Sequence, residues 1–226
     1  VAQTPGLVPL TTKETWVKDL QGLGLENIRL TFVCGKKKTI SDIGELMFAH
    51  FGVSGPLILD LSAKVLEALK TAEVKLYIDL KPGLTVEQLE KRLLNEFKKN
   101  GKVQFKNILK DFLPQRLIDL FLVLSGIGAS IQASQITQQE RRALLGLFKS
   151  LPLTISGSLP IEEAMVTGGG VSAKEIDPRT MESRVVPGIY FAGEIIEGCA
   201  SSGGYNLQQA FSTGYLAGEK SAESLA

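Results

Sequence analysis

The stretch Gly188–Gly218, GIYFAGEIIEGCASSGGYNLQQAFSTGYLAG, carries the clearest structural pattern of the chain. Residues 189–192 form a short apolar run, which is typical of a strand buried on both faces. A glycine-rich loop follows and ends at Gly203 and Gly204. Apolar and small residues then recur at helical spacing, namely at Leu207, Ala210, Phe211, Gly214, Ala217 and Gly218. The stretch therefore predicts a strand, a loop and a helix.

The start of this predicted helix suits an anionic or dinucleotide ligand. A helix N-terminus presents unpaired N–H groups and a partial positive charge, and glycine leaves those groups accessible. Ligands in open α/β sheets bind beyond the carboxyl ends of strands, where Gly193 and Glu194 are predicted to lie. We therefore expect a diphosphate or the edge of a flavin ring to bind here.

Three segments of the chain resemble the HI0933-like flavoproteins, a family that includes aminoacetone-oxidase-like enzymes. The first comprises YFAGE and SSGGYNLQQAFSTGYLAG within residues 190–218, which are similar to the family's C-terminal FAD-binding segment. The others are AMVTGGGVSAKEIDPRTMESRVVPG at Ala164–Gly188 and GELMFAHFGVSGPLILDLS at Gly44–Ser62. Matches in this order are more specific than any one of them alone.

The resemblance implies an α+β fold of several parts. A β-barrel-like insert carrying a helical subdomain is followed by the C-terminal strand–loop–helix segment of an FAD-binding Rossmann-like domain. The implied domain bounds are 1–81 for the first β-rich part of the insert, 82–150 for the helical subdomain, 151–165 for the return of the β-rich insert and 166–226 for the C-terminal portion of the FAD-binding domain.

The residue patterns also predict a β-rich part interrupted by helices. Strand-like apolar runs occur at residues 15–17, 28–33, 45–49, 74–80, 153–156 and 163–167. From Thr85 to Ser150 the apolar residues recur at helical spacing instead, and Thr85 with Gln88 has the form of a capping box. Another helix is predicted to begin near Pro56 with Ser54 as its cap.

The resemblance further implies an FAD-dependent oxidoreductase that acts on a small-molecule substrate, by amine oxidation or by hydride transfer. The flavin would carry the redox chemistry, and the polypeptide would bind and tune it. The implied FAD-binding residues are Gly193, Glu194, Gly203, Gly204, Tyr205, Asn206 and Leu207. The sequence identifies no catalytic residue.

By resemblance, Glu194 would accept hydrogen bonds from ribose or ribityl hydroxyls, and a solvated loop carboxylate is the alternative interpretation. Backbone N–H groups at the helix start would face the carbonyl end of the isoalloxazine and stabilise negative charge there. The side chain of Asn206 would add a contact. The glycine triplet within Thr167–Val171 either approaches the flavin or forms a bend.

No G-x-G-x-x-G motif occurs in the 226 residues, although the family's first nucleotide-binding half carries one. We therefore expect a fragment whose N-terminal FAD-binding half is supplied as a partner. The alternative is an isolated insert piece that binds no FAD and has no activity of its own. Its apolar segments 189–192 and 207–211 would then be exposed and favour self-association.

Other catalytic chemistries have little support in the sequence. His50, the single histidine, is either a packed residue or a general acid–base group beside a flavin. One histidine and two remote cysteines, Cys34 and Cys199, cannot build a zinc site, so no metal is expected. Cys199 is interpreted as an incidental loop cysteine, because no C-x-x-C motif accompanies it. No G-x-S-x-G motif indicates a serine hydrolase.

Composition argues against several broad classes. Of the 226 residues 44% are hydrophobic, and 25 basic side chains nearly balance 24 acidic ones. The net charge of +1 predicts no nucleic-acid partner and no anionic membrane partner. No apolar run approaches the roughly 20 residues that cross a bilayer. Two cysteines form no disulfide framework, which favours a reducing, cytoplasmic location. The run Lys36–Lys38 is interpreted as a solvated hairpin tip.

Overall fold

The computed structural model describes residues 1–224 and comprises two compact units. The terminal unit consists of Val1–Leu10, Ile58–Glu67 and Gly157–Ala226, and the barrel unit of Thr11–Leu57 and Ala68–Ser156. The last two residues of the predicted domain 166–226 lie outside the described residues. The domain bounds predicted at residues 81, 150 and 165 divide the chain more finely and stay a prediction.

The elements follow one another along the chain. The strands are β1 (Thr4–Gly6), β2 (Leu10–Thr12), β3 (Gly24–Cys34), β4 (Lys37–Ala49), β5 (Gly52–Ser54), β6 (Val74–Asp79), β7 (Leu151–Ser158) and β8 (Val166–Gly168). The α-helices are α1 (Pro56–Leu69), α2 (Val86–Lys99), α3 (Phe105–Ile108), α4 (Gln115–Ser125), α5 (Gln138–Lys149) and α6 (Tyr205–Glu223). Short 3-10 helices lie at Thr15–Leu20, Leu109–Asp111, Ala133–Gln135, Ile161–Glu163, Ala173–Glu175 and Gly193–Ile195.

The barrel closes in the strand order β2-β5-β4-β3-β6-β7. β3 pairs antiparallel with both β4 and β6. Ile28, Leu30 and Phe32 of β3 are buried while the residues between them are more exposed, because successive side chains of a strand point to opposite faces. This arrangement confirms the α+β fold with a barrel-like insert.

The predicted hairpin tip lies where β3 and β4 meet. Gly35 adopts a φ of +56°, which glycine tolerates in a tight turn. Lys36, Lys37 and Lys38 are exposed at this turn and at the start of β4. The interpretation of Lys36–Lys38 as a solvated hairpin tip is therefore confirmed.

Two helices of the barrel unit, α2 and α5, begin at capping boxes. The backbone N–H of Gln88 donates to Thr85 Oγ1 at 3.2 Å, and the backbone N–H of Thr85 donates to Gln88 Oε1 at 2.9 Å. Thr137 and Glu140 form the same reciprocal pair at the start of α5. Each box satisfies N–H groups that a helix start leaves without a partner. The predicted cap at Thr85 and the helical pattern that follows it are confirmed.

Two local predictions in the barrel unit are wrong. Residues 15–17 lie in a 3-10 helix rather than a strand, and the Trp16 ring lies 6.1 Å from that of Phe48. Ser54 does not cap α1, because it is the last residue of β5 and pairs with Met47. Gly55 is the N-cap instead, with a φ of 98° and no side-chain cap.

The terminal unit has a small core and little regular sheet. β1 pairs antiparallel with β8, so the strand predicted at 163–167 is confined to β8, which begins at Val166. The predicted strand at 189–192 is represented by one bridge between Tyr190 and Glu182, and Ile189 is 44% exposed. The prediction of a strand buried on both faces is wrong here, because such a strand needs neighbours on both sides.

Among residues 1–224, no helix combines the length and the apolarity that crossing a bilayer requires.

Candidate functional site

A pocket of about 320 Å³ lies in the terminal unit at the start of α6, at the small end of the roughly 300–1,000 Å³ of ligand pockets. Its lining comprises Leu7, Met165, Val166, Gly193, Glu194, Gly198, Ser202, Gly203, Gly204, Asn206, Leu207 and Gln209. All the predicted cofactor-binding residues except Tyr205 belong to this lining. The structure thus brings the predicted residues together, and their binding of FAD stays a prediction.

The start of α6 carries unpaired backbone donors beside this pocket. Gly203 and Gly204 adopt φ values of 102° and 90°, and Gly204 is an N-cap that provides no side chain. The N–H of Gln208 makes the first intrahelical bond, to the carbonyl of Gly204 at 2.9 Å. The N–H groups of residues 205–207 therefore have no intrahelical acceptor. Together with the helix dipole they favour an anionic or carbonyl group.

Glu194 also lines this pocket, lies in the 3-10 helix Gly193–Ile195 and is exposed. Its Oε1 accepts a hydrogen bond from the backbone N–H of Thr167. The N–H of Gly193 donates to Thr213 Oγ1 of α6 at 2.9 Å. These contacts hold the carboxylate in the pocket wall, where its second oxygen is the acceptor that a ligand hydroxyl requires.

Asn206 shapes the glycine loop with its side chain. Its Oδ1 accepts from the N–H of Ala200 at 2.9 Å, and its Nδ2 donates to the carbonyl of Ala200 at 3.1 Å. The N–H of Ser202 is held by Asp60 Oδ1 at 2.7 Å. The amide of Asn206 is therefore engaged within the protein, so the backbone N–H is the group it offers to a ligand.

The two remaining predicted residues lie differently. Leu207 is in the pocket lining and is also 64% exposed. Tyr205 is equally exposed, and its ring carbons lie 3.6 Å from the position that a Cβ on Gly203 would occupy. Tyr205 covers the outside of the glycine loop rather than packing beneath it.

The glycine triplet 168–170 is required by close backbone crossings. A Cβ on Gly169 would lie 2.1 Å from the carbonyl oxygen of Ala2, and one on Gly170 would lie 2.2 Å from that of Ile195. Both glycines have positive φ, at 84° and 111°. These crossings support the interpretation as a bend, and Val166, just before the triplet, is the neighbour that lines the pocket.

Cys199 is a packed thiol beside β1. Its Sγ lies 2.6 Å from the position of a Cβ on Gly6, so a larger residue at position 6 would force the thiol to shift. Burial raises the pKa of the thiol, and the negative charge of Glu194 raises it further. A raised pKa keeps the thiol protonated and weakly nucleophilic, which agrees with the structural interpretation of Cys199.

His50 belongs to the barrel unit and lies in the turn between β4 and β5. Its ring meets that of Phe51 edge-on at 5.0 Å. His50 is nevertheless exposed, so the choice between a packed residue and a general acid–base group stays open. Within residues 1–224, no group of three or more His, Cys, Asp and Glu side chains is arranged to hold a metal ion.

Residues that the sequence did not single out complete the pocket. Leu7, which has a φ of 48°, lies just after β1, and Val166 lies in β8. Their meeting depends on the pairing of β1 with β8. No local sequence signal marks that pairing, although the glycine triplet after Val166 indicates a close backbone approach.

The barrel with its inserted helices, and the pocket at a glycine-bounded helix start, define an α+β protein with a candidate ligand site. A family model described as "HI0933-like protein barrel and H2TH domain" matches residues 4–166. The chain therefore belongs to the HI0933-like family, which confirms the resemblance of its sequence.

Similar proteins carry two kinds of name. The chain is 30% identical to the 3-dehydro-bile acid delta(4,6)-reductase of Clostridium scindens, over 97% of this chain and 54% of that protein. It is 34% identical to the ribosomal RNA dihydrouridine synthase of Haemophilus influenzae, over 92% of this chain and 49% of that protein. The protein of the same name from Escherichia coli is 31% identical over 93% of this chain and 50% of its own length. The chain spans about half the length of the curated relatives it matches.

Proposed function

We propose that the chain forms the barrel, helical and C-terminal parts of an FAD-dependent reductase that delivers hydride to a carbon–carbon double bond. The pocket at the start of α6 carries this proposal, because it joins helix N–H donors, glycines and a carboxylate. The names of the relatives favour reduction over amine oxidation. A delta(4,6)-reductase and a dihydrouridine synthase are both named for a double bond that gains hydrogen.

The residues of the pocket fit the groups of an FAD. The N–H groups of residues 205–207 suit the carbonyl end of the isoalloxazine, where negative charge develops. Glu194 suits a ribityl or ribose hydroxyl, and Leu7 and Met165 offer apolar surface to a ring. When bound, the flavin supplies the hydride. The chain's own residues bind and orient it, and the Asn206–Ala200 hydrogen bonds keep the loop in shape.

We further propose that an N-terminal FAD-binding half completes the cofactor site. Exposed apolar residues follow one side of α6, at Leu207, Phe211 and Tyr215. Residues four apart lie on one face of a helix, so these side chains form a continuous surface that a folded partner would cover. The relatives, about twice as long as this chain, support this arrangement.

The alternative is a piece that binds no FAD and acts as a partner-binding or self-associating module. The same exposed surface on α6 favours it, because an apolar helix face without a covering partner promotes association. A sample of the chain that is colourless after desalting, and that forms oligomers, would favour this alternative.

The substrate class and the location are also proposals. The relatives' names suggest a steroid-like small molecule or a base of RNA, and both present a double bond that a flavin can reduce. A cytoplasmic location is supported by the free thiols of Cys34 and Cys199, because unpaired cysteines are typical of reducing compartments.

The test compares Glu194→Ala with Glu197→Ala in the complete protein. Glu197 lies three residues along the same segment, outside the pocket lining, and is the matched control. We expect Glu194→Ala to release flavin on desalting, seen in the visible absorption spectrum, while Glu197→Ala retains it. Gly204→Val should also lower retention, because an L-residue is strained at a φ of 90°.

Equal flavin occupancy in Glu194→Ala, Gly204→Val and the unchanged protein would refute the assignment of this pocket as the flavin site. Absence of flavin from the unchanged complete protein would refute the proposed flavin-dependent function.

A further inference from the structure

Positive charge is concentrated in one segment of the barrel unit. Between residues 98 and 110 the sequence has five basic side chains and no acidic one. We call this set the lysine ridge, and its members are Lys98, Lys99, Lys102, Lys106 and Lys110. All of them are exposed. The net charge of +1 is an average that hides this local excess.

The charges of the ridge are nearly free of ion pairs. Within residues 1–224, Lys99 is the member that forms one, with Glu96 Oε1 at 3.6 Å. An exposed pair of this kind contributes little energy and exchanges readily. The ammonium groups are therefore accessible to an anionic partner.

The backbone beneath the ridge is rigid. Phe97, Phe105 and Ile108 are buried and anchor the segment in the helical core. The N–H of Phe105 donates to the carbonyl of Ile131 at 2.8 Å, and the N–H of Ala133 donates to that of Val103 at 3.0 Å. A partner would need to order only the lysine side chains, which lowers the entropic cost of binding.

A shallow pocket of about 190 Å³ at one end of the ridge shows which chemistry fits. Its polar lining comprises Lys106, Asn107, Lys110, Gln115 and Asp119. Ammonium and amide groups donate hydrogen bonds to phosphate oxygens. The carboxylate of Asp119 repels a bare phosphate but accepts a hydrogen bond from a 2′-hydroxyl, the group that distinguishes RNA from DNA.

We propose that the lysine ridge binds the phosphate backbone of the RNA whose base this protein reduces. The inference rests on the proposed function, with an RNA base rather than a steroid as the reduced group, and it replaces the expectation of no nucleic-acid partner. The ridge supplies affinity without sequence readout, because phosphate contacts position an RNA but do not identify its bases. A small steroid would need no row of lysines.

The experiment measures RNA binding by the complete protein with its cofactor. The probe is a fluorescein-labelled RNA hairpin, compared with a DNA hairpin of the same sequence and with vesicles of phosphatidylserine. The test variant is Lys102→Gln, Lys106→Gln, Lys110→Gln. The control is Lys36→Gln, Lys37→Gln, Lys38→Gln, which removes the same charge from the exposed hairpin tip.

We expect the ridge variant to flatten the slope of log K against log[salt] by about two, since each phosphate contact on a single strand contributes about −0.7. At 0.1 M salt this corresponds to about hundredfold weaker RNA binding. The hairpin-tip variant should bind like the unchanged protein, and the unchanged protein should prefer the RNA hairpin to the DNA hairpin.

Three results would overturn the proposal: an unchanged slope in the ridge variant, an equal loss in the hairpin-tip variant, or loss of vesicle binding with RNA binding intact. The flavin spectrum of each sample separates this outcome from the proposed function. If the samples retain flavin but the ridge variant binds RNA as tightly as the unchanged protein, the role of the lysine ridge is refuted and the reductase proposal stands. If the unchanged protein holds no flavin, the reductase proposal is refuted, whatever the RNA affinity.

Discussion

The barrel unit and the terminal unit differ in how fully they bury their large aromatic side chains. The barrel unit buries several large aromatic residues completely, among them Phe105, Phe121 and Phe148. The terminal unit has a buried cluster of Ile176, Met181, Ile196 and Ala217. Along α6 it exposes Phe211 and Tyr215 by 72% and 74%. The comparison indicates that the barrel unit is stabilised by its own core, whereas the terminal unit depends on close backbone contacts and, in our proposal, on a covering partner.

The largest effect is expected in the barrel unit's core. Phe148 is fully buried, and its ring lies 5.1 Å from that of Phe121 and 6.0 Å from that of Phe112. Phe148→Ala should lower the free energy of unfolding by about 3–5 kcal/mol, because the lost burial and the cavity add together. Urea unfolding followed by the fluorescence of Trp16 measures it. A loss below about 1 kcal/mol would contradict a self-sufficient core.

The next effect tests the backbone contacts of the terminal unit. A Cβ at Gly170 would meet the carbonyl oxygen of Ile195 at 2.2 Å, and the φ of 111° adds strain. Gly170→Ala should destabilise this unit by about 1–3 kcal/mol, seen as faster amide hydrogen exchange in α6 and β8.

Gly214→Ala is the matched control. Nothing lies within 4 Å of a Cβ at Gly214, and alanine in a helix is more favourable than glycine by about 0.8–1 kcal/mol. The control should therefore slow exchange in α6. If both alanine variants behave alike, the triplet is not a required crossing.

Local patterns predicted the parts of the fold that local chemistry determines. The capping box at Thr85 and the strand at residues 28–33 depend on neighbours in sequence, and both were found. The cap of α1 was missed because it depends on tertiary contact: a Cβ at Gly55 would lie 3.0 Å from the backbone nitrogen of Met47. The run 15–17 is too short for its period to separate a strand from a 3-10 helix.

The residues of the candidate site show the same difference between local and long-range determinants. The residues from Gly193 to Leu207 were predicted because a family resemblance covers them, and most of them line one pocket. Leu7 and Met165 could not be predicted, because they reach the pocket only through the pairing of distant strands. The hydrogen bonds between the Asn206 amide and Ala200 could not be predicted either, because the sequence does not specify the backbone path of the glycine-rich loop.

A smaller effect concerns the capping box of α5 and its dependence on pH. Hydrogen bonds from the Thr137 side chain and backbone lower the pKa of Glu140. A carboxyl whose folded pKa is lowered stabilises the fold above its unfolded pKa, roughly 4.3, and loses that contribution as the pH falls through its folded pKa. Thr137→Ala should therefore cost about 1 kcal/mol at pH 7 and less near pH 3.

The variant Glu140→Gln separates the contribution of the carboxylate charge from that of the hydrogen bonds of the capping box. Glutamine keeps the reciprocal hydrogen bonds, as Gln88 does at the start of α2, but does not titrate. Urea unfolding at both pH values should show a smaller acid loss in Glu140→Gln than in the unchanged chain, because the lowered pKa values of Glu73 and Glu87 remain in both. An acid loss of the same size in that variant would place the titration elsewhere.

A substitution on the exposed face of α6 is expected to have the smallest effect on stability. It should act mainly on self-association. Phe211 is 72% exposed, so Phe211→Ser should change the free energy of unfolding by less than about 0.5 kcal/mol. It should nevertheless reduce self-association of the 226-residue chain in sedimentation velocity, because it interrupts the apolar face shared with Leu207 and Tyr215. Val123→Ser is the control, since Val123 of the barrel unit is 78% exposed. An equal decrease of self-association in both variants would mean that association depends on the total exposed apolar surface. The proposed contrast between a self-sufficient barrel unit and a partner-dependent terminal unit would then lose its support.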